Sequence, residues 1–356
     1  MTGIARLLLG VCAGLAMVGS AHAASRSERA AAPAAGHLSL MTYNVQGLPW
    51  PLASGRPAAM IAIASRLRAM RLVHRQPDVV ALQEAFGDDA KAIGRAAGYR
   101  YMALGPGADQ ASTIRTTRQD RRFLAAGRMI DGEGVGKRVD SGLVIFSDYP
   151  IVAVRRIVYP VCAGYDCLAN NGALAATILG PGGRLVTVLD THLNSGRASG
   201  VGKPRRRYAY GRQIAQVAAF AAAIAVTGEP LLLAGDFNVG HDPVRRRTFG
   251  AWLGSASGAP GVAAAACRAD SGCMLSAAPS LTESLKKAKD WLLYRASTTM
   301  AIRPIAISAP FGRDRDGAML SDHIGIAASY LLEPRRAVGV RLARKTAPHH
   351  HASTRA

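Results

Sequence analysis

Alternation of apolar and polar positions opens the chain's regular structure. Leu38, Leu40 and Tyr43 are interleaved with Ser39 and Thr42 and predict a strand over Leu38–Tyr43. A broad apolar stripe of Met60, Ile61, Ile63, Leu67, Met70 and Leu72 then predicts a helix with Pro57 in its first turn. The unbroken run Val79-Val80-Ala81-Leu82 marks Asp78–Gln83 as a buried strand. Asp88–Ala97 reads as a short helix capped by Asp88 and ended by Gly98. Four strands follow in succession: Gly142–Ser147, Ile151–Tyr159, Gly172–Leu179 and Arg184–Asp190. Pro181-Gly182-Gly183 turns the last two into a hairpin. The longest helix is expected over 204–226, and Leu231–Asp236 is another buried strand. Trp291–Tyr294, Met300–Ser308 and Ile324–Leu331 complete the strands. Residues 105–140 and 254–280 lack periodicity and read as surface excursions. Units of βα mixed with strand-after-strand stretches predict an α/β fold of two packed sheets flanked by helices.

The ends are of different character. Arg6, the apolar run Leu7–Val18 and Ala21-His22-Ala23 fit a removable export signal over 1–23. The run is short beside the roughly 20 apolar residues a membrane span needs. A flexible leader is expected over 24–37 and one ordered domain over 38–332. Residues 333–356 carry six Lys or Arg and His349-His350-His351 and read as a disordered basic tail. The expected location is therefore secreted or periplasmic.

Four cysteines remain beyond Cys12, an even number that suits disulfides in an exported protein. Proximity favours Cys162–Cys167 and Cys267–Cys273. The spacings C-x4-C and C-x5-C without a nearby His fit zinc poorly.

Lys and Arg number 44 against 23 Asp and Glu, a net charge of +21. That excess suits an anionic partner: nucleic acid, an anionic membrane face or a phosphorylated substrate. Hydrophobic residues at 49% exclude a disordered polycation. Arg205-Arg206-Arg207, Arg245-Arg246-Arg247 and Lys286-Lys287-Lys289 are candidate phosphate grips, with solvated faces the plainer reading.

Polar residues gather where core strands end: Asn44, Gln83-Glu84, Asp190-Thr191-His192-Leu193, Gly235-Asp236-Phe237-Asn238, Asp290 and Ser321-Asp322-His323. Strand ends are where ligand sites collect in layered α/β proteins. Each group alone has an ordinary structural reading; six together point to chemistry. Glu84 and Asn44 offer oxygen to a hard divalent cation. His323 has the pKa range of a general base, with Asp322 or another carboxylate to orient it. His192 and Asn238 can hydrogen-bond phosphoryl oxygens as negative charge develops. That set describes metal-assisted hydrolysis of a phosphate ester. Neither a Gly-x-Ser-x-Gly nucleophile nor a Walker A loop is present to compete.

The ordered set TYN at 42–44, QE at 83–84, THL at 191–193, GDFN at 235–238, DW at 290–291 and SDH at 321–323 resembles the endonuclease/exonuclease/phosphatase superfamily. The resemblance implies a two-sheet α/β sandwich of the deoxyribonuclease and sphingomyelinase kind. It also implies Mg²⁺, or another divalent ion such as Mn²⁺, on Glu84 and Asn44. Catalysis would fall to His323, Asp322, His192, Asp236, Asn238 and Asp290. Thr42-Tyr43-Asn44-Val45, Gln83-Glu84-Ala85-Phe86, Asp140-Ser141-Gly142 and Asp166–Leu174 look most like the bacterial secreted neutral sphingomyelinases. Asn171 departs from the Lys usual there before the Gly. Segment 296–320 also departs, because its one aromatic is Phe311 where an aromatic-tipped hairpin is common. Trp50, beside Pro49 and Pro51, is a candidate membrane contact, a cap over a turn being the plainer reading. The resemblance thus implies a monomeric phosphodiesterase acting on phospholipid at a membrane surface, with an extracellular nuclease acting on nucleic acid as the alternative.

Overall fold

The computed structural model describes residues 35–48, 53–255 and 259–335. The expected export signal, most of the leader, Trp50 and the tail from residue 336 lie outside them. The strands are β1 (Gly36–Asn44), β2 (Val79–Gln83), β3 (Tyr101–Leu104), β4 (Val144–Ser147), β5 (Ile151–Val158), β6 (Gly172–Gly180) and β7 (Arg184–His192). They continue as β8 (Leu231–Asp236), β9 (Gly261–Val262), β10 (Met274–Leu275), β11 (Asp290–Arg295), β12 (Met300–Phe311) and β13 (Gly325–Pro334). The helices are α1 (Arg56–Leu72), α2 (Asp88–Ala97), α3 (Arg118–Ala125), α4 (Lys203–Ala225), α5 (Pro243–Leu253), α6 (Ala263–Ala269) and α7 (Pro279–Lys287).

Two sheets form. One runs β10-β12-β13-β1-β2-β4-β3, the other β5-β6-β7-β8-β11-β9. Alternation along each strand builds the layers, since successive side chains point to opposite faces. Leu38 and Leu40 of β1, Val79 and Ala81 of β2, Val186 and Val188 of β7, and Leu232 and Ala234 of β8 form the core between the sheets. Their neighbours Met41, Tyr43, Val80 and Leu82 face the other way, onto Met60, Ile63 and Leu67 of α1 and Ile93 of α2. Leu189, Leu231 and Leu233 pack likewise on Tyr210, Ile214 and Val217 of α4 and Phe249 of α5. The result is the expected α/β sandwich: two sheets inside, helices outside.

Several expectations need correction. Only Met60, Ile63, Ala64 and Leu67 of α1 are fully buried, while Ile61 and Leu72 are exposed, because 100° per residue carries them to the solvent face. The α2 cap is Gly87 with no side-chain bond, and Asp88 lies inside the first turn; Gly98 closes the helix in the left-handed region as predicted. Segment 105–140 is no bare excursion. Its α3 is held against α4 by Asp120, which accepts from Tyr208 and Arg212, and Glu133 pairs with Arg205 of α4. Segment 254–280 sends Ala263 and Cys267 of α6 into the inter-sheet core. Both short cysteine pairs, Cys162–Cys167 and Cys267–Cys273, are disulfides. Among the described residues, no helix is long and apolar enough to cross a membrane.

Candidate active site

The inward-facing rows turn from apolar to polar at one edge. On β1 the row Leu38, Leu40 continues as Thr42 and Asn44; on β7, Val186 and Val188 continue as Asp190 and His192; on β8, Leu232 and Ala234 end at Asp236. β1 and β2 are parallel, as are β7 and β8, so these ends share a side. β11 runs antiparallel to β8 and starts with Asp290 opposite Asp236, while His192 pairs with Asp236 from the other flank. β13 runs antiparallel to β1, which returns His323 to the end where Asn44 stands. Topology thus places all six motifs on one rim.

Glu84 lies on the outward-facing parity of β2. Its left-handed φ of 55° breaks the alternation and re-aims the carboxylate inward. Gly142 makes the room: a Cβ there would come within 3.0 Å of the Glu84 Cα, and its own φ of 64° suits glycine. Asn44 Nδ2 then donates to Glu84 Oε1 at 2.8 Å and to Asp236 Oδ2 at 3.2 Å. Asn44 Oδ1 accepts from the Gln46 N–H at 3.0 Å.

His323 is buried, and its Nδ1 bonds to both oxygens of Asp290, at 3.0 and 2.9 Å. Its Nε2 lies 3.6 Å from Asp236 Oδ2 and 3.5 Å from Lys289 Nζ. Burial pushes the imidazole down, but Asp290 and Asp236 outweigh it and bring the pKa up to about 9. Burial pushes Asp236 up, and His323, His192 and Lys289 more than reverse that, so its carboxyl sits below the usual range. Burial raises the Glu84 carboxyl, with His192 and the Asn44 N–H opposing. His192 Nε2 stands 3.6 Å from Asp236 Oδ2 and 4.0 Å from Glu84 Oε1.

The structure therefore brings Asn44, Glu84, His192, Asp236, Asp290 and His323 together. Asn238 is adjacent: its N–H donates to Asp236 Oδ1, and its Nδ2 is engaged by the Leu193 carbonyl at 2.9 Å. Asp322 is not brought to His323. It is exposed beside Ser321, and the carboxylate that holds the imidazole Nδ1 is that of Asp290. Ser321 explains its place in SDH, since its Oγ donates to the Asn44 carbonyl at 2.7 Å and accepts from the His323 N–H. The sequence places Gln83 and Asp190 at strand ends, but the link they make between the sheets was not foreseen. Gln83 Nε2 donates to Asp190 Oδ1 at 2.7 Å, and Thr42 donates to Gln83 Oε1. The inward parity of 42, 83 and 190 was the available signal.

Three buried or half-buried carboxylates within reach of one another need positive charge. Glu84 and Asp236 offer oxygens of the kind a hard divalent cation takes. Asn44, as oriented here, presents nitrogen to that space and keeps its oxygen on Gln46, so ligation through Oδ1 requires the amide to turn. Asp290 and His323 are committed to each other.

A two-sheet sandwich with a carboxylate–histidine pair beside a further acidic cluster on its rim fits a hydrolase of phosphoric esters. The chain belongs to the endonuclease/exonuclease/phosphatase family, whose sequence profile matches residues 41–323. The fold is similar to that of sphingomyelinase C from Streptomyces griseocarneus, with a TM-score of 0.56 and 21% identity over 82% of this chain and 99% of that one. It is similar to beta toxin from Staphylococcus aureus, at 0.55 and 19% over 82% and 99%. Humanized D. rerio TDP2 gives 0.54 and 16% over 83% and 98%. Among curated proteins, no sequence matches this chain.

Proposed function

We propose that the protein is a metal-assisted phosphodiesterase that hydrolyses a phospholipid, sphingomyelin or a relative, to a phosphorylated head group and a lipid alcohol. The observation that carries this reading is the Asp290–His323 pair, 2.9 Å apart, with Nε2 left facing the acidic cluster. Water attacks phosphorus while His323 Nε2 takes its proton; the phosphorus–oxygen bond to the lipid breaks, and the departing alkoxide takes up a proton. Asp290 holds the Nδ1–H and favours the imidazolium that forms. His192 and Lys289 face the charge that develops on the phosphoryl oxygens. A divalent cation held by Glu84 and Asp236 would supply further neutralisation of that charge.

Export is part of the proposal, supported by the N-terminal pattern and two disulfides. So is action as a monomer at a membrane surface. Phe311 does not provide the membrane contact: it is buried and stacks on Tyr43 at 5.0 Å. The nuclease alternative draws support from the basic surface. Sphingomyelin liposomes and plasmid DNA, each with Mg²⁺ and then with EDTA, separate the two. Phosphocholine release without DNA nicking is expected, and nicking alone sinks the lipid reading.

A further inference from the structure

Four of the nine residues in the three basic runs of the sequence meet at one place. Arg206 and Arg207 at the start of α4, Arg245 of α5 and Lys289 before β11 line a single cavity of about 550 Å³, joined by Arg197 and Lys203. Asn238 and Lys289 form the wall it shares with the catalytic cluster, and Lys289 Nζ is 3.5 Å from His323 Nε2. Of these six cations, only Arg207 has a carboxylate partner among the described residues, Asp242 at 2.9 Å.

Arg245 is the strongest sign that the charge is built in. It is only 2% exposed. Its guanidinium donates to the carbonyls of Asn194, Asn238 and Ser195 at 2.7–2.8 Å and lies over the Tyr210 ring at 4.5 Å. Carbonyl dipoles satisfy its two terminal nitrogens, its Nε is left without a partner, and Asp166 and Asp242 act on its charge without forming an ion pair. A buried cation with no direct ion pair is costly and adds to the positive potential of the adjoining cavity. The cavity contains no Phe, Tyr or Trp, so it lacks the aromatic faces that hold a quaternary ammonium.

We infer that this cavity binds a second phosphate-class group on the same substrate molecule whose diester is cleaved beside His323. The inference rests on the phospholipid reading and narrows it: the head group bears a further phosphate where sphingomyelin bears choline. Arg206 and Lys203 grip that group with charge-assisted hydrogen bonds, and the fixed charge of Arg245 lies in the wall.

The test uses phosphatidylcholine vesicles carrying sphingomyelin, phosphatidylinositol or phosphatidylinositol 4-phosphate, with plasmid DNA in parallel, and follows released head-group phosphate under Mg²⁺. The expected result is preferred hydrolysis of phosphatidylinositol 4-phosphate. The double variant Lys203→Ala with Arg206→Ala should raise KM for it about tenfold with kcat less changed. Arg247→Ala, from an exposed neighbour outside the cavity, should keep the wild-type preference. Circular dichroism checks that the variants are folded. If lipids are cleaved but sphingomyelin is the better substrate, or the double variant keeps the preference, the subsite is overturned while the phospholipid reading stands. If no lipid is cleaved and DNA is nicked, the phospholipid reading falls and this assignment with it.

Discussion

Asp290 and His323 lie 2.9 Å apart, carboxylate to Nδ1, yet they belong to different sheets. Asp290 starts β11 of the six-stranded sheet, and His323 leads into β13 of the seven-stranded one. Their pairing should set the pH behaviour of His323 as the proposed base. A base works only when neutral, and His323 is held protonated up to about 9 by Asp290 and Asp236. Turnover should therefore rise with pH through that range, not through the ordinary histidine value of about 6.5. Asp290→Asn should move the midpoint down toward the ordinary value and lower kcat by about 10²-fold or more. A midpoint unchanged in Asp290→Asn would refute this account.

Asp322 provides the matched control. Its carboxylate is exposed and away from the imidazole, so Asp322→Asn should leave the pH midpoint where it is, whatever it does to rate. A pH–rate profile on bis(p-nitrophenyl) phosphate reads both variants. A shift equal to that of Asp290→Asn would mean that Asp322 orients the base in solution.

Glu84 should govern the response to metal. Glu84→Gln keeps the shape and the Asn44 contact but removes a charge, so half-activation should need at least about tenfold more Mg²⁺. Calorimetric titration of Mg²⁺ into the folded variant gives the same answer without turnover. Wild-type affinity in that titration would remove Glu84 from the cation site.

Asp120 links the 105–140 segment to α4 and should make stability depend on pH. Its bonds to Thr117, Tyr208 and Arg212 outweigh burial and draw its pKa down to about 2. The folded value is below the unfolded value of about 3.9, so the stabilisation is complete above pH 4 and fades as pH falls toward 2. Asp120→Asn should cost about 2 kcal/mol at neutral pH, read as a lower urea midpoint, and almost nothing near pH 2. An equal cost at both pH values would contradict the sign.

Much of the site was legible because its residues continue the strand rows that form the core. Asn44, His192 and Asp236 each stand two places beyond an inward-facing neighbour, Thr42, Asp190 and Ala234, so alternation alone leads to them. Glu84 breaks that rule, and only its motif pointed to it; the positive φ that turns it inward has no one-residue signature. The choice between Asp290 and Asp322 as partner of His323 depends on antiparallel pairing of β11 with β8, which no local pattern encodes. The segments 105–140 and 254–280 hid their helices because short elements anchored by Asp120, Glu133 or a disulfide need little apolar periodicity. The basic runs were visible as charge, but their meeting at one cavity is a tertiary fact.

The bonds Asn44 to Asp236, Gln83 to Asp190 and His323 to Asp290 all cross from one sheet to the other. The groups proposed to react are thus divided between two slabs whose spacing is set by Leu40, Ala81, Val188, Ala234 and the rest of the packing between them. On the proposed function, turnover should therefore gauge how those slabs are seated. A change in core volume far from the rim, too small to unfold the protein, slides one half of the machinery past the other and registers first as lost turnover.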